Sequence, residues 1–253
     1  MAHDTPLQRL KNGVNTLFDA VLGAGKARDM EDFKLLLDDL WQMGAAHEGI
    51  MHEWEAKIAP DIHHIRRAQG GDCLHRGMLN PSPILDLLVA ECNRGIPLDP
   101  KAALTGEPYY EFLYDAADRL IGVRHYAASQ PGTLPKDQEF ILRRGVQEYG
   151  ITFETATGRV LCVCKAAKPH GYVESYAFTD FDPYGPSDMV LHYEYFTYTE
   201  ERLTRAEVYF AVSPELGQYD RDVYEVFYEK AQEGNDPSSS APMIHRVSKE
   251  GPL

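Results

Sequence analysis

The feature that most limits the folds open to this chain is a change of hydrophobic period. Before residue 95 apolar residues recur every three or four positions; from Tyr109 onward they recur every second one. A helical front half therefore meets a β-rich back half. The expected class is α+β, with N-terminal helices packed on a C-terminal antiparallel meander of about eight strands.

Residues 6–23 carry Leu7, Leu10, Val14, Leu17, Phe18, Val21 and Leu22 at helical spacing, and Gly23 and Gly25 follow as a stop. A second helix is predicted from Asp29, whose carboxylate can cap the first turn. Its apolar row runs through Met30, Phe33, Leu36, Leu37, Leu40, Trp41, Met51, Trp54 and Ile58 to Pro60, with a kink or break expected between Gly44 and Gly49. Residues 61–82 are read as a short helix and a loop. Ser82 then caps a third helix over 83–94, with Pro83 at its first position and Gly95 beyond its end. Three prolines and a glycine mark 96–108 as a connector.

The alternating half begins with a hairpin, 109–114 and 119–126, turning at Asp115 to Asp118. Strands follow at 139–144, 147–154, 159–164, 172–181, 189–198 and 203–212, and 222–229 fits a strand or a short helix. The sheet region thus spans 109–233, behind a helical region at 1–95. The Pro- and Ser-rich tail, 234–253, is expected to be disordered.

Charge is unevenly spread. Ten of the fourteen net negative charges and ten of the fifteen tyrosines fall between Gly171 and Glu233. A net charge of −14 argues against a general nucleic-acid binder, which needs a positive footprint. No apolar run is long enough for a membrane span, and the N-terminus lacks the order of a signal peptide, so a cytoplasmic protein with no membrane partner is expected. Cys162 and Cys164 fall on one face of a strand and are expected to be reduced core residues.

The motifs that could carry chemistry are incomplete. His47 and His52 are five apart, which on a helix turns the second about 140° from the first, whereas a zinc-binding pair needs a spacing of four. Glu48 and His52 do have that spacing and can pair. The loop from Asp180 to Asp188 has the Asp and Gly pattern of a calcium loop but places Tyr184 at the fifth position and Leu191 at the twelfth, where a bidentate Glu belongs. The segment 22–26 lacks the spacing of a phosphate loop. No catalytic residue, metal site or cofactor is expected on this basis.

Three segments, Tyr114 to Leu120, Phe153 to Val160 and Tyr198 to Leu203, each run from an aromatic residue through a polar turn to Arg and an aliphatic residue. The first, Tyr114-Asp115 followed by Arg119-Leu120, resembles a single unit of the YD repeats of Rhs-type toxin shells. The irregular spacing of the three copies does not imply a shell.

An acidic, Tyr-rich sheet with no catalytic signature suits a basic protein partner, since charge speeds encounter and rigid aromatics supply contact area. In composition the chain resembles immunity proteins of bacterial polymorphic toxins. That resemblance implies a binding protein that neutralises a cognate toxin domain. The expected interface comprises Asp180, Asp182, Tyr184 and Asp188, the face carrying Glu194 and Tyr198, and the Glu200-Glu201 turn. Two other readings are a mimic of nucleic acid and a metal-dependent hydrolase built around His47, His52 and His63.

Overall fold

The computed structural model describes residues 27–69, 81–85, 96–99, 106, 108–127, 133–181, 189–212, 219–228 and 242–250. Helix α1 (Ala27–His47) and helix α2 (Met51–Ile58) are followed by a 3-10 turn at Ala59–Asp61. Twelve strands follow among the described residues: β1 (His64–Gln69), β2 (Ile96–Leu98), β3 (Tyr109–Tyr114), β4 (Leu120–Tyr126), β5 (Asp137–Arg144), β6 (Gln147–Glu154), β7 (Val160–Ala167), β8 (Ser175–Asp180), β9 (Met189–Thr199), β10 (Arg202–Val212), β11 (Tyr219–Tyr228) and β12 (Pro242–Glu250). They form one sheet in the order β12 to β3, then β1 and β2, and every pair is antiparallel.

Period two gives the sheet two apolar faces. On one, Leu113, Phe140, Tyr149, Ile151, Phe153 and Val163 pack with Leu37, Leu40, Trp41, Met51, Trp54 and Ile58 of the helices. Fully burying a side chain of this kind contributes roughly 1.5–3 kcal/mol, so this stripe fixes α1 and α2 to the sheet. On the other face, Cys162, Cys164, Tyr176, Phe178, Phe196 and Val208 form a second cluster with Ile84.

The break between the helices falls where the sequence placed it, but Gly44 does not cause it. Gly49 does, with a left-handed φ of 76°. Gly44 lies inside α1, where an added Cβ would come within 2.9 Å of the Phe181 ring. Its role is close approach of the helix to the end of β8. Glu48, expected to pair with His52, instead accepts the Val160 amide at 3.0 Å and ties the break to β7. α1 also begins at Ala27, so Asp29 stands inside the first turn rather than at the cap.

The sheet is larger than the eight strands expected. Residues 64–69, read as helix or loop, are β1, which pairs with β3 through polar contacts that no hydrophobic period reveals. Arg67 donates to Glu111 through Nε (3.0 Å) and Nη2 (2.9 Å), and Tyr126 donates to the other carboxylate oxygen at 3.2 Å, so this buried acid is fully paired. Part of the connector is β2, and the expected tail contains β12, which pairs with β11 around a bulge. The segment 219–228 is a strand, not a helix. The predicted helix at 6–23 and most of that at 83–94 lie outside the described residues.

The three similar hairpins differ in their turns. In the first, Asp115 accepts the Ala117 and Arg119 amides and the Arg119 Nε, each at 2.8–2.9 Å, which makes a self-capped turn. In the second, the Thr157 hydroxyl donates to the Glu154 carboxylate at 2.6 Å, and the Glu154 amide donates to the Arg159 carbonyl. The third is a two-residue turn in which Arg202 lies over the Tyr228 ring.

Candidate functional site

Among the expected interface residues, the structure gathers Tyr198, Glu200 and Glu201 at one corner of the sheet. The β9–β10 turn consists of Glu200 and Glu201 alone, with φ of 51° and 63°. Both central positions are therefore left-handed, as in a type I′ turn, where Asn-Gly is the favoured pair. Two glutamates in that conformation cost about 1–2 kcal/mol each, and both side chains are exposed.

Behind the turn lies an aromatic group that sequence spacing does not reveal. The Tyr198 ring is 4.1 Å from that of Tyr172, and its hydroxyl donates to the Val173 carbonyl at 2.8 Å. Burial pushes the Tyr198 phenol up to about 12, and the nearby Tyr172, Tyr228 and Glu174 add to the shift. Tyr172 and Glu174 come from the β7–β8 connection, and Tyr228 ends β11. The corner thus presents Glu174, Glu200 and Glu201 around three half-buried tyrosines, with Arg202 lying 5.3 Å over Tyr228. Chemically this is a surface for cations: carboxylates at the rim and the faces and edges of aromatic rings within.

The other expected residues that are described, Asp180 and Glu194, do not join it. Asp180 is half-buried at the end of β8, and Asp182, Tyr184 and Asp188 lie outside the described residues. Glu194 is 1% exposed, with its Oε1 2.6 Å from His192 Nε2. Alternation placed Glu194 and Tyr198 on one face correctly, but that face carries the second apolar cluster and is not a free surface.

On the same face sits a group of buried polar side chains, of which sequence reasoning expected only the Cys162 and Cys164 pair as core. Glu139, Thr152, Cys162, Cys164, Tyr176, His192 and Glu194 are all less than a tenth exposed. Glu139 fits only because Gly150 faces it: a Cβ there would lie 2.1 Å from Glu139 Oε1 and 2.6 Å from Cys164 Sγ. Burial holds the Cys164 thiol well above its ordinary range, and the neighbouring Glu139 and Cys162 raise it further. The sulfur therefore stays protonated, which is the reverse of what a nucleophile needs. Tyr176 is raised by burial in the same way, and its hydroxyl has no hydrogen-bond partner among the described residues. These groups lie on the five successive strands β5 to β9, and the register of those strands brings them together.

The histidines do not converge. His47 is buried, donates through Nδ1 to the Met43 carbonyl at 2.7 Å and packs 5.5 Å from the Trp54 ring. His52 is exposed and sits 3.1 Å from Glu55, while His63 lines a separate cleft. Among the described residues no three His, Cys, Asp or Glu side chains are placed to share a metal ion. None of the described helices is long and apolar enough to cross a membrane. Compared with known proteins, the chain matches no family model, no curated sequence and no solved structure.

Proposed function

We propose that this chain is a binding protein that neutralises a basic protein partner, of the kind in which an immunity protein blocks a cognate toxin domain. The observation that carries the reading is the Glu200-Glu201 turn. Two adjacent acids hold a backbone conformation that Asn-Gly would hold at lower cost, and strain of this sort collects where side chains serve a partner. Around it, Tyr172, Tyr198 and Tyr228 supply rigid contact area, and the surrounding sequence carries most of the negative charge.

Genomic context gives the first test: the reading implies a toxin domain encoded in the adjacent reading frame. The second test is kinetic and uses that domain. Association with the intact chain should slow steeply as salt rises, and E200K/E201K should slow it about tenfold further while leaving the fold intact. Unchanged rate and affinity in the double variant would remove the corner from the interface.

A further inference from the structure

At the opposite end of the sheet, the 3-10 turn after α2 and the β3–β4 turn enclose a partly open cleft of about 590 Å³. That volume lies in the range of small-molecule sites. Its apolar lining comes from Ile62, Ile121 and Ile141, and its charged and polar groups are Arg119, Arg143, His63, Asp61 and Asp115, the last engaged by Arg119.

Both arginines are held in place by acids of their own. Arg119 turns Nε and Nη2 to Asp115, at 2.8 and 2.7 Å, which leaves the Nη1 amino group unused. Arg143 uses Nη2 on the Leu120 carbonyl and on Glu148, both at 2.9 Å, which leaves Nε and Nη1. Asp115 cannot act as a base, because bonds from Arg119 hold its carboxyl below the usual range and both oxygens are occupied. Two fixed guanidinium groups with spare donors beside an isoleucine-lined floor make an unusual spot in a chain of net charge −14.

We infer that this cleft binds a small organic carboxylate: its carboxylate meets Arg119 and Arg143, and its apolar body lies against Ile62, Ile121 and Ile141. One spare N–H from each guanidinium can meet one carboxylate oxygen in a charge-assisted hydrogen bond, and the apolar floor adds affinity that a bare anion cannot use. Such a ligand would reach the protein independently of the acidic corner, so the inference does not rest on the proposed partner.

The probe is octanoate, titrated into the intact chain by calorimetry, with octanol and inorganic phosphate run in parallel. Saturable octanoate binding at millimolar concentration is expected, with neither control competing. R119Q should weaken it about tenfold, and R143Q at least as much, the loss expected for charged hydrogen bonds. Because Arg143 also braces β4 and β5, the decisive companion is D61N, which removes a carboxylate that lines the cleft and should tighten binding severalfold. Absence of octanoate binding overturns the inference. So does phosphate binding as well as octanoate, or equal affinity in R119Q and the parent chain.

Discussion

Gly150 and Glu139 show how one position can dictate another across a sheet. The carboxyl of Glu139 fills the space above Gly150, with Cys164 Sγ 3.6 Å from its Oε1. Replacing Gly150 by Ala should destabilise the fold by about 3 kcal/mol, because a buried carboxyl must leave its niche in a close-packed interior. Equilibrium urea unfolding measures this. In the G150A/E139A double variant the two costs should fall short of their sum by about 1 kcal/mol or more, since the second change clears the space the first one needs. Strict additivity would mean that the two residues do not share that space.

Elements stabilise this molecule unequally, and the β9–β10 hairpin is held against local preference. E200N/E201G should raise the stability of the chain by roughly 1 kcal/mol, read as a higher urea midpoint, because Asn-Gly adopts the left-handed pair with little strain. The same variant should bind the basic partner more weakly. A gain in stability with no loss of binding would detach the strained turn from function.

Hairpins of this type were legible in the sequence, since each alternates over its length and closes on a polar turn. β1 was not legible. Its Ile65 is 39% exposed and its anchoring contacts are ionic, reaching from Arg67 to Glu111 and from Arg66 to Asp118, partners 44 and 52 residues away. β12 was hidden by the Pro- and Ser-rich residues before it, whose composition was extended to a segment that pairs with β11. The candidate corner was half legible. Glu200 and Glu201 stand in an obvious turn, but Tyr172 and Tyr228 reach it only through the register of three neighbouring strands.

Taken as a whole, the molecule should have two pH limits. Burial acts to raise the Glu207 carboxyl, but Arg221 and Tyr209 outweigh it and hold the group below its ordinary value of 4.5. Glu55 is likewise opposed by burial and held low by Gln138 and His52. A depressed carboxyl adds stability above its unfolded pKa and loses it as pH falls through the folded one, so the acid limb lies below about pH 4.5. Tyr126, Tyr198 and Tyr224 are raised, first by burial, from 10 to about 12. Their contribution is complete below pH 10 and lost as pH rises towards 12. Urea midpoints across the pH range should show both limbs, with E207Q flattening the acid one and Y198F the alkaline one. A profile that E207Q leaves unchanged would show that this carboxylate does not govern the acid limb.

A sheet whose strands β3 to β12 form one meander also comes apart in the order of those strands. Tension from the C-terminal side meets β12 first, at the border of the sheet, and opens its ladder bond by bond like a zip rather than shearing all of them together. Each strand released leaves its neighbour as the new border. Among the described residues, resistance rises near β8 and β7, where α1 lies across the strands and Trp41 and Gly44 grip Phe181. Mechanically, then, the chain has a strong half under its helices and a half that yields hairpin by hairpin, and the acidic corner sits in the yielding one.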